Sequence, residues 1–156
     1  SEADKAGYDG SSAEYIVERG LVVDGIELEL KGKVNDNLDV TFGYTSMDGK
    51  NGTKDAREIP ETMYSLWANY EVNPKLGWAV GVMHQGESLI KDGGTEMLPD
   101  YTRVDAAIYL MLSDDFRLQV NMENLTDELY FPHSHSTHQV SVGRERNIRL
   151  SLTRSF

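Results

Sequence analysis

Alternation with a period of two residues runs through most of this chain, and helical periodicity is almost absent. Such alternation puts successive side chains on opposite faces of an extended backbone, so it restricts the chain to strands with one apolar and one polar face. The pattern predicts seven strands, at 26–31, 38–45, 64–72, 76–83, 102–112, 116–123 and 148–156, and a weaker one near 14–19. Within the seven, every even-numbered position is apolar except Thr102 and Arg154. Among the odd-numbered positions only Trp67, Ala79, Met83, Ala107, Tyr109 and Met111 are apolar. The fold class that follows is all-β, an antiparallel up-and-down meander of about eight strands.

The connections alternate in length. Val34-Asn35-Asp36-Asn37, Asn73-Pro74-Lys75 and Ser113-Asp114-Asp115 are polar turns at hairpin spacing. Segments 46–63, 84–101 and 124–147 are long and rich in Gly, Asp, Asn, Ser and His. Short turns at one end and long loops at the other characterise a bacterial outer-membrane barrel, whereas a soluble sandwich has no physical reason to keep its ends so different. Aromatic placement agrees. Tyr44 and Tyr64 lie toward the long loops, and Tyr70, Trp78, Phe116 and Phe156 toward the short turns, as two interfacial girdles would. Between them stand Leu66, Ala68, Val80, Val82, Val104, Ala106, Ile108, Leu118 and Val120.

The opposite face carries Glu27, Glu29, Lys31, Asp39, Asn69, Glu71, Arg103, Asp105, Arg117, Gln119, Asn121, Glu123 and Arg149. So many charged groups suit a wide, wet lumen better than a small barrel filled by its own side chains. Alternation alone also allows two other arrangements. One is a soluble lipocalin-like or sandwich-type ligand-binding domain with the apolar face inside; the other is a self-contained eight-stranded outer-membrane barrel. The loop asymmetry and the girdles favour the membrane.

A length of 156 residues suits one domain. With 26 acidic and 15 basic residues the net charge is -11, which excludes a nucleic-acid grip, because binding phosphates needs a basic surface. The absence of cysteine excludes disulfides, thiolate metal sites and a cysteine nucleophile together. No apolar run is long enough for a membrane-spanning helix, and no basic segment followed by an apolar one marks a signal peptide. The opening Ser1-Glu2-Ala3-Asp4-Lys5 lacks a Met and reads as the interior of a longer protein.

Asn124-Leu125-Thr126-Asp127 followed by Tyr130 resembles the Asn-Leu-x-Asp-x-x-Tyr signature that ends the second-last strand of TonB-dependent outer-membrane receptors. Gly143-Arg144 and a closing strand, Asn147 to Phe156, stand at the distance that family has, and Phe156 resembles its C-terminal assembly aromatic. Gly25-Ile26-Glu27-Leu28-Glu29-Leu30 and Leu98-Pro99-Asp100-Tyr101-Thr102-Arg103-Val104-Asp105 resemble two further stretches of the same barrel. The resemblance covers about residues 20–156. The stretch from His135 to Gly143 is most similar to the ferric-siderophore branch, and within it to the catecholate-type receptors.

The resemblance implies a 22-stranded transmembrane β-barrel closed by a plug, of which residues 1–156 would be the C-terminal portion. The plug domain, the TonB-contacting box and the signal peptide would then be absent from this sequence. It further implies a ferric siderophore as the transported ligand, no resident cofactor, outer-membrane lipid around the barrel, and a Gram-negative outer-membrane location. The TonB energy complex would be reached through the missing N-terminal part. Eight strands on their own expose two unpaired edges, which invites self-association.

Candidate site residues lie in the last long segment. His133 and His135 are two apart, so on an extended backbone both imidazoles face one way and can meet a metal or ferric ligand; with His138 they equally suit a solvated polar loop, and no metal site is assigned. Arg144 and Arg146 offer planar donors to an anionic ligand, while Arg149, in mid-strand, reads better as an ion-pair partner of Glu123 or Glu145. Trp67, Tyr101 and Tyr109, on the polar parity, read better as space-filling than as ligand-stacking groups. An enzyme is not indicated: there is no Gly-x-Ser-x-Gly elbow, no paired acid and base and no phosphate loop, and His84 and Glu87 read as loop neighbours without a supporting pattern.

Overall fold

The computed structural model describes the backbone of residues 2–9 and 14–155 and the side chains of residues 20–155. Phe156, expected to serve as a girdle and assembly aromatic, lies outside the described residues. Among the described residues thirteen strands are present: β1 (Glu2–Asp9), β2 (Glu14–Asn35), β3 (Leu38–Asn51), β4 (Lys54–Asp55), β5 (Thr62–Asn73), β6 (Leu76–Gln85), β7 (Ser88–Leu89), β8 (Met97–Leu98), β9 (Tyr101–Met111), β10 (Phe116–Glu123), β11 (His133–Ser136), β12 (Gln139–Ser141) and β13 (Asn147–Arg154). Eight of them form one meander in the order β1-β2-β3-β5-β6-β9-β10-β13, with β4 attached to β3, and every pairing is antiparallel. The expected all-β meander is what the chain forms.

The composition of the eight differs from the expectation at the N-terminal side. The strands expected near 14–19 and at 26–31 are one strand of 22 residues, about twice the 9–11 that cross a bilayer. Its ladder explains the continuity. β3 accompanies it from Asn35 up to Leu21, opposite Asn51, and β1 takes over from Val22 to Glu14. Backbone pairing needs no apolar alternation, so the strand continues where the sequence pattern fades. β1 itself was not anticipated, and β3 likewise runs on past the expected end at residue 45. Two small hairpins, β7–β8 and β11–β12, sit within segments expected to be loop.

The sheet is a single layer. Leu66 and Val80, in mid-sheet on the even parity, are 45% and 39% exposed, so no second layer covers that face. Ile108 and Leu118 are half-buried, and every substantial contact between elements joins hydrogen-bonded neighbours. The buried hydrophobic residues lie elsewhere: Ala79 and Ala107 on the odd face, and Ala56, Leu98, Tyr101 and Tyr130 at the loop end. A soluble sandwich or lipocalin-like domain would require the reverse. Nor does the sheet close on itself as an eight-stranded barrel, since β1 and β13 are its two edges.

Side chains on the odd face fill space, as expected. Trp67 lies across Gly81, where a Cβ would come within 1.7 Å of the indole, so only glycine fits there. Its Nε1 donates to Asn69 Oδ1 at 3.1 Å. Tyr109 is covered by the Arg117 guanidinium, 5.3 Å from the ring centre. At the short-turn end Asn37 N donates to Asn35 Oδ1 and Lys75 N to Asn73 Oδ1, both at 2.9 Å, the local closure these residues favour in tight turns. Tyr70 and Trp78 meet at that end with ring centres 5.4 Å apart. At the other end Tyr64 stacks on His84 at 4.6 Å, and His84 belongs to β6 rather than to a loop. Its Nδ1 lies 3.0 Å from Thr102 Oγ1.

Candidate functional site

The three long connections meet at one end of the wall and are fixed by two clusters. The first is built on Asn124, which is 1% exposed and adopts φ 52°, in the left-handed region where asparagine is among the better tolerated residues. Its Nδ2 donates to Glu128 O at 2.9 Å and Arg144 O at 3.0 Å, and its Oδ1 accepts from Glu128 N at 2.9 Å. Its own N–H donates to Asp105 Oδ1 at 2.8 Å. Asp105 in turn holds Arg103 at 2.8 Å, and Arg103 Nη1 donates to the Tyr130 hydroxyl at 3.2 Å. Tyr101 packs on Tyr130 with ring centres 4.6 Å apart. The segments 98–105 and 124–130, read separately in the sequence, therefore lock onto one another.

The second cluster ties all three loops together. Glu58, at φ 58°, donates its N–H to Leu89 O at 3.0 Å, and its Oε1 accepts from Ser134 N at 2.7 Å. Ser134, 4% exposed, donates its hydroxyl to Ile90 O at 3.0 Å. Asp92 accepts from Arg57 N at 2.9 Å and from Asn51 Nδ2 at 2.6 Å. The Arg57 guanidinium donates to His135 O. Sequence reasoning missed Arg57, Glu58 and Asp92. Through these side-chain bonds they are 35–78 residues from their partners, and the only signal was charge within a glycine-rich loop.

The three histidines are brought together on the β11–β12 hairpin. With Arg57 and Glu58 they line an open depression of about 660 Å³. His133 Nδ1 lies 3.9 Å from Glu58 Oε1, and His138 Nδ1 lies 2.9 Å from Ser136 Oγ. His133 and His135 are both exposed while Ser134 between them is buried, as expected for one extended segment. Among the described residues, however, no group of three or more His, Cys, Asp or Glu side chains is arranged to hold a metal ion.

The arginines separate. Arg146 is engaged with Asp127: its N–H donates to Oδ1 at 2.8 Å and its guanidinium stands 3.8 Å from Oδ2. The Arg144 side chain is exposed and makes no hydrogen bond or ion pair among the described residues. Arg149 pairs with Glu123 at 3.6 Å, as its mid-strand position suggested. Tyr101 faces Tyr130 and is 8% exposed, so it stacks within the protein.

A one-layer antiparallel wall with an apolar outer face, a polar inner face and its long loops gathered at one end defines a segment of a membrane-spanning β-barrel. The chain belongs to the family of TonB-dependent receptor-like β-barrels, whose description matches residues 6–125. It is 28% identical over 149 residues to the probable TonB-dependent siderophore receptor PiuA of Acinetobacter baumannii, covering 83% of this chain and 20% of that protein. It is 30% identical over 159 residues to the ferrioxamine receptor of Yersinia enterocolitica, covering 92% of this chain and 22% of that protein. The crystal structure of the ferripyoverdine receptor of the outer membrane of Pseudomonas aeruginosa superposes with a TM-score of 0.82 at 22% identity, covering 99% of this chain and 24% of that one. This chain thus spans about a fifth of the length of the curated relatives it matches. Those relatives are receptors by name, and the Pseudomonas one is a receptor of the outer membrane.

Proposed function

We propose that residues 1–156 form the C-terminal part of the barrel domain of a receptor that binds ferric siderophores and imports them across a Gram-negative outer membrane. The observation that supports this most is the division of one wall into three zones. Even-numbered side chains face outward where lipid tails solvate them, odd-numbered polar ones face the passage, and the loops are tied into one rim. The Asn124–Tyr130 signature, followed by Gly143 and β13, supports the C-terminal placement. In this reading the TonB energy complex acts through a plug-bearing N-terminal part.

In this reading His133, His135 and His138 contact the cargo from the depression they line, and Arg144 and Arg146 contact it as well, Arg146 with its guanidinium also near Asp127. The rim offers imidazole and guanidinium donors to the oxygens around a chelated iron, and the clamp through Glu58 and Ser134 holds the histidine-bearing hairpin in place. The finer assignment to the catecholate-type branch is supported by the stretch His135 to Gly143.

The test uses the parent receptor in detergent, titrated with ferric catecholate and ferric trihydroxamate chelates while tryptophan fluorescence is followed. Saturable quenching is expected, strongest for the catecholate, and is lost when residues 133–141 are replaced by a short Gly-Ser turn. Failure of every ferric chelate to bind, or full binding without the hairpin, overturns the reading.

A further inference from the structure

An apolar hollow of about 210 Å³ opens on the inner face of the wall, at the end nearest the loops. Thr45, Met63, Gln85 and Tyr101 form one cross-strand row, the last inner row that β5, β6 and β9 share. Gly43, Ser65 and Met83 lie one pleat below. Among the described residues no Asp, Glu, Lys or Arg lines the hollow.

Inner-face positions of these strands are polar with few exceptions, and Met63 and Met83 are two of them. Met63 stands opposite Gln85 and Met83 opposite Ser65, so the two methionines are diagonal neighbours, within reach of each other's long side chains. Met63 is half-buried and Met83 is 37% exposed, so the pair presents thioether surface to the passage. At Gly43 a Cβ would meet only Ser65 Oγ, and the glycine keeps the floor of the hollow open. One side is held firmly. The Tyr101 ring is fixed against Tyr130, and its hydroxyl donates to Gln85 Oε1 at 3.3 Å, which leaves the amide N–H groups of Gln85 for another acceptor.

Methionine sulfur packs favourably on aromatic rings, and its unbranched chain adapts to their outline. Two thioethers with an amide donor at their edge fit an aromatic ring that bears oxygen; an alkyl chain would use neither the sulfur nor the amide. We propose that Met63 and Met83 hold one aryl ring of the iron chelate, with Gln85 donating to an oxygen on that ring. The inference rests on the proposed siderophore-receptor function and adds to it a ring-recognising element apart from the histidine rim. Continuity favours cargo as the occupant. Tyr101 belongs, through Tyr130, Arg103 and Asp105, to the cluster in which Asn124 holds Arg144 O, so one rigid unit carries both the hollow and the Arg144 segment.

The experiment uses the parent receptor in detergent, with isotope-labelled methionine methyl groups observed by NMR and assigned from single leucine variants. Gallium, which is diamagnetic, replaces iron in two chelates, a tris-catecholate and an aliphatic trihydroxamate; catechol alone is the bare probe. With the catecholate the Met63 and Met83 signals are expected to move by ring current, while that of Met122, on the outer face, stays in place. The trihydroxamate moves neither. In the Met63→Leu/Met83→Leu double variant, which keeps the volume, the catecholate binds roughly threefold more weakly and the trihydroxamate as before. A catecholate that binds with both signals unmoved, or equal losses for the two chelates in the double variant, overturns the proposal and leaves the hollow to a protein side chain. Binding of the trihydroxamate alone overturns it as well. Should neither chelate bind, the siderophore reading fails by itself. Catechol then decides this one: saturable movement of both signals upholds it, and no movement overturns it.

Discussion

Gly143 lies against the Tyr130 ring so closely that a Cβ would come within 2.2 Å of its Cζ, while its N–H donates to Tyr130 O at 2.8 Å. The ring cannot retreat without leaving the Arg103 guanidinium and the Tyr101 ring. Gly143→Ala in the parent receptor is therefore expected to destabilise the loop end by about 1–3 kcal/mol through overpacking. Thermal unfolding in detergent measures the loss, and an unchanged midpoint would show that the ring is not confined.

Asn124 combines a positive φ with three side-chain hydrogen bonds. Asn124→Ala leaves part-buried backbone groups of Glu128 and Arg144 without their partner, at about 1 kcal/mol for each bond lost, and adds left-handed strain of about 1–2 kcal/mol. Asn124→Gly loses the same bonds but not the strain. The glycine variant should thus unfold at a higher temperature than the alanine variant. The reverse order would mean that the backbone conformation contributes nothing.

Val80 stands in the middle of β6 on the outer face, between Ala68 and Ala106. Val80→Arg is expected to cost about 2–4 kcal/mol in a bilayer. Gln119, on the inner face and bonded to Asn121 at 2.8 Å, should accept arginine almost silently. Urea unfolding in lipid vesicles compares the two, and equal damage at both positions would contradict the orientation of the wall.

Glu58→Ala removes the acceptor for Ser134 N and leaves a non-glycine residue at φ 58°. The β11–β12 hairpin then loses one of its ties to loop 52–61 and keeps the Arg57–His135 O bond, while the strand ladder is untouched. Limited proteolysis should cut within 133–141 several times faster than in the unaltered protein, with barrel unfolding unchanged. Resistance equal to the unaltered protein would show that Ser134 Oγ and Arg57 hold the hairpin without Glu58.

The orientation of Leu66, Val80, Ile108 and Leu118 was legible because parity is a local property: once a strand forms, its alternate residues must share a face. The signature around Asn124 was legible as a pattern, yet its meaning was not. Nothing in the spacing announces that Asp105 accepts from Asn124 N, or that Tyr101 meets Tyr130. The upper half of β2 was illegible for another reason. Beyond the apolar band its pairing with β1 rests on backbone hydrogen bonds, which leave no mark on side-chain periodicity.

By itself, then, the sequence determined the strands of the apolar band, their faces, and the inequality of the two ends, since each depends on residues a few positions apart. Only the tertiary structure decided which loop groups meet. The order β3-β5-β6-β9-β10-β13 sets loops 52–61, 86–100 and 124–146 side by side at one rim. There Ser134 comes within hydrogen-bonding distance of Ile90 and Glu58, 44 and 76 residues away along the chain, a closeness imposed by sheet neighbours and not encoded in any local run.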